Sequence, residues 1–472
     1  MFPDLRPSLA ASVDNLPSLE TRKEQLMVDG VKDFGDDCMV SNTSLLPLRE
    51  YYFLEDDVEL QNLHMSPIAS KHQAMDDVNS SNDTGPLIFP GDGMEVDECL
   101  SIVHLLKAYG EAMDIEMREL AEEITMRLKE KGYPTGSTLQ RLAYYLVQAL
   151  DKQVSFLREE AMINYEIAFS AFYQVFPYGR FAHFTANSVI LEAIPEDAEM
   201  VHIVDFDIGK GVQWPPIIEA LAIQGGQRVE VRFTSIKWEQ EEEDPPLQSF
   251  EETQMLLHEH ARHYGLRLKV EEKDLVSLDS EMKKTKKIGE GNYEWLAFNC
   301  MVGLPHMEER RNVRSVIEFL KLAKDSIRVK GGGGTITFGD GIGWGKGLQG
   351  WPGYGNIFEG QLGQFKTLLE SMDNQLPHHL REAKIAIECL FLIPYVSSLI
   401  DMQMWKEIYR ESRALSEVGL EPWSMRNDNV LEAKELVREG ESSYWVRIEG
   451  VKQNQMVLGY RGTPLVKVSS WR

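Results

Sequence analysis

Cysteine is scarce: the 472-residue chain has only Cys38, Cys99, Cys300 and Cys389. None forms a CxxC pair, which excludes a zinc ribbon and argues against a disulfide framework. Such usage suits a reducing compartment. Long apolar runs are missing as well. No stretch reaches the length of a membrane span, and the opening MFPDLRPSLA lacks the layout of a secretory leader. The expectation is a soluble, intracellular protein with no membrane partner. Basic residues are in deficit, with 49 Lys+Arg against 75 Asp+Glu and a net charge of −26. A chain this acidic does not coat DNA or an anionic membrane by itself.

What is present can bury a sizeable core. Apolar residues make up 43% and charged residues 26%, a globular balance that fits neither collagen nor a coiled-coil rod. The length suits one large domain, or two, plus a tail. Charge is unevenly spread: residues 1–99 carry 20 Asp+Glu and 6 Lys+Arg, a net of −14. That stretch has no sustained period and reads as an acidic, largely disordered tail over 1–95. Within it, SLLPLREYYFLEDD at 44–57 sets leucines and aromatics beside acids. This composition suits docking on a partner, an activation segment, or a sticky patch with no role.

From Cys99 the pattern turns helical. Met113, Met117, Leu120, Ile124 and Leu128 step by 4, 3, 4 and 4, which predicts one inward face of a helix over 99–128. Leu100, Val103 and Leu106 then form a second apolar surface on the same run or the helix before it. A helix follows Gly136-Ser137-Thr138, where Ser137 or Thr138 can cap. More helix is expected over 161–176 and over 184–194. The leucine stripes are too short for a coiled coil.

Near residue 200 the period switches. VHIVDF (201–206), VEVRFTSI (229–236), RLKVE (267–271), WLAFNC (295–300) and TITFGD (335–340) are short apolar runs, the mark of strands buried on both faces. Helices are expected between them: one opening at Pro215-Pro216, one near 250–264 and one containing Val313 to Ala323. This alternation predicts a parallel sheet with right-handed crossovers. YWVRIEG (444–450), QMVLGYRG (455–462) and PLVKVSSW (464–471) lie close together and suit antiparallel strands finishing one edge. The predicted fold is α/β: a Rossmann-like, mostly parallel core with an N-terminal helical cap and C-terminal antiparallel strands.

In such sheets ligands bind where strands end and glycine lets backbone approach. Asp205, Asp207, Gly209 and Gly211 follow the first strand in the spacing of the first motif of S-adenosylmethionine-dependent methyltransferases. Three features argue against a working cofactor loop. Gln213 stands at the third small position, Pro215 and Pro216 remove two N–H donors, and the second strand ends in Thr234-Ser235-Ile236 rather than a ribose-gripping acid. No cofactor is therefore expected, and the four residues form a degenerate loop. Gly331 to Gly334 read as a turn, and the Gly/Trp run at 339–355 lacks phosphate-loop spacing. His258, His260 and His263 share a helix without completing a zinc site, so no metal is expected. Lys283-Lys284-Thr285-Lys286-Lys287 is a nuclear-import signal or a solvated loop.

Taken together, LSIVHLLKAYGEAM at 100–113, VHIVD at 201–205 and the closing Ser469-Ser470-Trp471 resemble the plant GRAS family of transcriptional regulators. They stand where that family has its first leucine-rich region, its VHIID element and its SAW element. FPYGRFAHFTAN (176–187), DFDIGKGVQWPPIIEAL (205–221) and SIKW (235–238) are similar to the family's nodulation-signalling subgroup and its non-legume relatives. The PFYRE element is matched only by Pro394-Tyr395 and Tyr409-Arg410-Glu411, and the tail has no DELLA-type element. The resemblance implies a GRAS domain over 96–472, with a helical cap over about 97–195 and a methyltransferase-like core over about 196–472.

It also implies a nuclear, non-enzymatic co-regulator that pairs with a second GRAS protein of the nodulation-signalling type. Promoter DNA is then contacted through that partner, in root symbiosis and strigolactone-related expression. Leu100, Val103 and Leu106 are the expected partner-binding residues, and homodimerisation is the alternative pairing. The rival reading is an S-adenosylmethionine-dependent methyltransferase or a small-molecule-binding Rossmann-like protein. Direct DNA binding by this chain conflicts with the net charge.

Overall fold

The computed structural model describes residues 92–472 except 226–228, 239–248, 285–293, 308–312, 330–332, 342–352, 378–379, 381–382, 403–404 and 407–417. The acidic tail with its 44–57 patch lies outside the described residues. So do Thr285, Lys286 and Lys287 of the lysine tract, most of the Gly/Trp run, and the Tyr409-Arg410-Glu411 match.

Helices come first: α1 (Asp92–Asp114), α2 (Arg118–Lys131), α3 (Thr138–Leu150), α4 (Val154–Met162), α5 (Tyr165–Val175) and α6 (Pro177–Ala193). The single helix expected over 99–128 is two. Glu116 adopts φ 60°, its N–H bonds to Met113 O, and the Met117 N–H reaches back to Ala112 O. Those two bonds make a Schellman end, with glutamate where glycine is usual. The break resets the helical phase. Ile124 and Leu128 are buried as expected, but Met117 and Leu120 are 50% and 43% exposed. The 161–176 helix likewise divides at Ile163-Asn164, and the last helix starts at Pro177 rather than 184. Ser137 does cap α3, in a capping box with Gln140.

Then β1 (Met200–Asp205), α7 (Pro215–Gly225), β2 (Glu230–Ile236), α8 (Phe250–His263), β3 (Arg267–Lys273), α9 (Leu275–Lys284), β4 (Glu294–Val302), α10 (Val313–Val329) and β5 (Gly334–Asp340) alternate. The sheet order is β3-β2-β1-β4-β5-β8-β7-β6, with β6 (Tyr444–Glu449), β7 (Gln455–Tyr460) and β8 (Thr463–Trp471). The pairs among β1 to β5 are parallel. β8 joins β5 antiparallel and the last hairpin continues antiparallel. The predicted architecture is the observed one.

Period-2 alternation sorts the strand side chains into two cores. Val201, Ile203, Phe233, Trp295 and Ala297 face the core that includes α6 and α7. Val204, Phe206, Leu296, Phe298 and Ile336 face α9 and α10. Helix α6 is buried from Pro177 to Leu191 and lies against β5 and β8, so its polar residues Arg180, His183, Thr185, Asn187 and Ser188 are buried along with the apolar ones.

Sequence reading missed the return of the chain to the cap. After β5 come α11 (Tyr354–Gln375), α12 (Ala383–Phe391), α13 (Ile393–Leu399) and α14 (Asn427–Leu436). Helix α11 runs along α1: the Phe358 and Tyr109 rings are 5.3 Å apart, and Asp114 Oδ1 accepts the Tyr354 N–H at 2.7 Å. A Cβ at Gly110 would sit 2.8 Å from Phe358 Cδ1, so the two helices meet this closely only because residue 110 has no side chain.

Helices α3, α11 and α12 are joined by an ionic cluster that is buried at Arg141 and Glu388 and reaches solvent at Asp373. Arg141 donates to both Asp373 oxygens at 3.0 Å, and its Nε lies 3.2 Å from Glu388 Oε1, off the hydrogen-bonding direction. Glu388 is fully buried and accepts the Tyr145 hydroxyl at 2.5 Å. Breaking one partner of a buried pair strands the other charge and costs about 3–5 kcal/mol. Arg141→Leu should therefore lower the urea-unfolding free energy by about that amount. A loss of under about 1 kcal/mol would mean that the cluster is solvated like a surface pair.

Candidate functional site

The strand order reverses between β1 and β4, so the crevice above their carboxyl ends is where a ligand is expected in an open α/β sheet. Asp205 and Asn299 are the register partners there. The loop predicted to be degenerate follows directly, and its polar groups point into the protein.

Asp205 is 3% exposed. Its Oδ1 accepts Asn299 Nδ2 at 3.1 Å, and its Oδ2 accepts the Trp214 indole N–H at 2.9 Å. Gln213 Nε2 donates to Asn187 Oδ1 at 3.1 Å and to Asn299 Oδ1 at 3.2 Å. In return Asn299 Nδ2 donates to Gln213 Oε1 at 3.1 Å, and Asn187 Nδ2 to Gln213 O at 2.7 Å. Thr337 on β5 completes the set by donating to Asn299 Oδ1 at 2.8 Å. Carboxamides from α6, the loop and β4 thus satisfy one another in the crevice, and the buried Trp214 indole fills the space beside them.

Five of the loop's backbone N–H groups are also bonded internally. Asp207 N–H bonds to Asp205 Oδ1 at 3.5 Å, Ile208 N–H to Ser235 Oγ at 3.4 Å, and Gly209 N–H to Asp207 Oδ1 at 3.2 Å. Gly211 N–H bonds to Ile208 O and Trp214 N–H to Gly211 O. A pyrophosphate or carboxylate cradle needs those donors pointing outward. Gly211 has its own structural reason: φ is +68°, and a Cβ would lie 2.8 Å from Thr253 Cγ2 on α8. The Thr253 hydroxyl donates to Gly209 O at 2.8 Å, and Lys210 reaches Glu166 on α5 at 2.5 Å with its ammonium 4.9 Å from the Tyr165 ring centre. The residues present therefore do not fit an S-adenosylmethionine-type cofactor, and no chemical step is derived through one.

Of the predicted loop, Asp205 and Gly211 are held in this network, Asp207 caps the turn, and Gly209 has open space around its Cβ position. Asn187, Asn299 and Trp214 were missed. The one sequence signal was a polar residue closing each of two apolar runs, FAHFTAN and WLAFN. His258, His260 and His263 do share α8. Among the described residues no group of three or more His, Cys, Asp or Glu is placed to hold a metal ion.

Of the expected partner residues, Leu100 and Val103 are 51% and 41% exposed, whereas Leu106 is buried at 3%. That last placement corrects the expectation. An α-helix turns about 100° per residue, so Leu106 points about 120° away from Leu100. It joins Ile102 and Tyr109 in the core instead.

The fold and the crevice define a Rossmann-like domain whose ligand position is closed by its own side chains. The chain belongs to the GRAS domain family, which matches residues 102–472. It is 28% identical over 411 residues to the protein NODULATION SIGNALING PATHWAY 2 of Medicago truncatula, covering 79% of this chain and 76% of that protein. It is also 28% identical over 392 residues to Scarecrow-like protein 26 of Arabidopsis thaliana, covering 79% of this chain and 78% of that protein. Among solved structures, SCL7 of Oryza sativa superposes with a TM-score of 0.59 at 22% identity, over 79% of this chain and 99% of that one. At that identity the likeness carries the fold alone.

Two measurements test the closed crevice. Burial pushes the Asp205 carboxyl up to about 7, against the pull of the Asn299 and Trp214 N–H groups. A carboxyl that holds its proton more tightly folded than unfolded contributes stability that is full below about pH 4 and is lost as pH rises through about 7. Asp205→Asn cannot ionise, so wild type should lose stability relative to this variant between pH 5 and pH 8 in urea titrations. Parallel curves would mean that the buried carboxyl is ionised throughout. Second, millimolar S-adenosylmethionine should leave the melting temperature unchanged. A ligand at 100 times its Kd stabilises by about 2.7 kcal/mol, so a saturable upward shift would reopen the crevice as a binding site.

Proposed function

We propose that this GRAS chain is a nuclear, non-enzymatic transcriptional co-regulator that acts by associating with a second GRAS protein, which supplies the contact to promoter DNA. The observation that carries the non-enzymatic part is the lattice of Asn187, Gln213, Asn299 and Asp205 in the crevice. It occupies with protein groups the place where this fold puts a ligand. The net charge of −26 supports an indirect route to DNA, because few phosphates could be neutralised by this chain. The setting is root symbiosis, nodulation and mycorrhization, together with strigolactone-related gene expression. A relative named for nodulation signalling supports nodulation among these.

Association is the role left to the surface. On α1, Leu100 and Val103 are exposed one turn apart; Ile115 just before the Glu116 break is 66% exposed, and Met117 and Leu120 beyond it are 50% and 43% exposed. Apolar surface of this kind marks protein interfaces, and a helix laid in a groove is a common way to use it.

Leu100→Glu with Val103→Glu should abolish capture of a nodulation-signalling GRAS partner, since a charge buried without a counter-ion weakens binding about 30-fold or more. The melting curve should stay in place because both side chains are exposed. Leu106→Glu should instead lower the melting temperature, because that side chain is in the core. If the double variant is folded and still binds, α1 is not the interface. If the wild type captures only copies of itself, the second GRAS protein drops out of the proposal.

A further inference from the structure

The cleft between the C-terminal half of α8 and β3 stands out on an acidic molecule. Met255 is 63% exposed at its rim. His258, Arg262, Arg267 and Lys269 line it and are exposed, with Glu230 as the acid among the lining residues. β3 ends the sheet, and among the described residues its strand partner is β2 alone. On the β2 side, Lys273 O accepts the Lys237 N–H. Residues at the alternate register, such as Val270, turn their peptide groups the other way, and Val270 O meets the Gln254 side chain from α8 at 2.7 Å. An edge strand beside an apolar, basic cleft is a template for an extended segment with the opposite charge.

The chain contains such a segment. Residues 44–57, SLLPLREYYFLEDD, hold Glu50, Glu55, Asp56 and Asp57 against one arginine, interleaved with Tyr51, Tyr52 and Phe53. Their apolar and acidic groups complement the cleft in kind: aromatic surface for Met255, and carboxylates for Arg262 and for Lys269, an exposed lysine whose ammonium also lies 2.9 Å from Glu271 Oε2. The stretch from 58 to 91 can extend about 110 Å, against a radius of gyration of about 21 Å for a domain of this size. Every face of the domain is within its reach.

We propose that the α8–β3 cleft binds this chain's own segment 44–57, with the segment's carboxylates against Arg262 and Lys269 and its aromatic side chains against Met255. The contact is an intrachain cover for both surfaces, and it is independent of the partner role of α1. An acidic–aromatic segment held this way is withheld from other proteins until something displaces it.

Carbodiimide cross-linking of the full chain, read by mass spectrometry, tests this directly, because it joins carboxylates to lysine amines in contact. The expected product links Lys269 to one of Glu50, Glu55, Asp56 or Asp57. Its yield should fall as salt is raised from 0.05 to 0.5 M, which shortens the screening length to roughly 4 Å. Arg262→Glu, which keeps Lys269 as the reporter, should cut the yield about fivefold, the ratio a lost surface ion pair carries. Adding Glu50→Lys and Glu55→Lys to that variant should restore it. In a mixture of isotopically heavy and light chains the links should stay within one chain at every protein concentration. Links scattered over exposed lysines in proportion to their number would overturn the proposal. A yield indifferent to salt and to Arg262→Glu would do the same, and heavy–light links at the share expected for random pairing, rising with protein concentration, would assign the cleft to a second copy. The salt series on wild type decides the question even if a variant misfolds.

Discussion

The rest of the molecule is arranged around a polar knot at the carboxyl ends of β1 and β4. A buried carboxamide left without partners costs about 1–3 kcal/mol, and here Asn187, Gln213 and Asn299 each find theirs in the others. The constraint is mutual. Asn187 is presented from a helix buried on all sides, Asn299 from a central strand, and Gln213 from a turn that glycine makes possible. A shift of any one element would leave two others unsatisfied. The knot therefore sets the height of α6 above the sheet and the path of the chain from β1 into α7.

That same knot explains how a Rossmann-like scaffold can serve a regulator. The fold places backbone donors and a glycine turn at the switch point whether or not a ligand is used. In this chain the turn is kept, because Gly211 must pass close to Thr253 and Lys210 bridges to α5. Loop donors bond within the protein, and the buried Trp214 indole donates to Asp205. On the exterior, apolar side chains are exposed on α1 and α2, and a basic cleft lies at the β3 edge.

The cap is less an N-terminal domain than a joint product of both ends of the chain. α1 is seated on α11 through Tyr109, Gly110 and Phe358, and α3 is pinned to α11 and α12 by Arg141. The C-terminal Ser469-Ser470-Trp471 pairs with β5 inside the sheet, where Ser469 donates to Phe338 O at 3.0 Å and accepts the Trp471 indole at 2.8 Å. Segments far apart in sequence are thus packed against one another.

Sequence alone determined the strands, their order of appearance and the glycine turn. A strand buried on both faces must be an unbroken apolar run, and a backbone at positive φ favours glycine; both are local demands that local residues answer. It also marked the start of α3, where Ser137 or Thr138 could cap; the capping box with Gln140 settled on Ser137. Tertiary structure decided the rest. Nothing near Glu116 announces a helix end, because a left-handed glutamate is tolerated only where surrounding packing supports it, and that break sent Met117 and Leu120 outward. Leu106 and Leu100 look alike in sequence and part company by helical phase, since only one side of α1 meets the core. Asn187 and Asn299 are 112 residues apart, and each alone is one more polar residue at the end of an apolar run. Their role exists only once α6 lies across the sheet, because a hydrogen bond is a property of two groups brought together, not of either one.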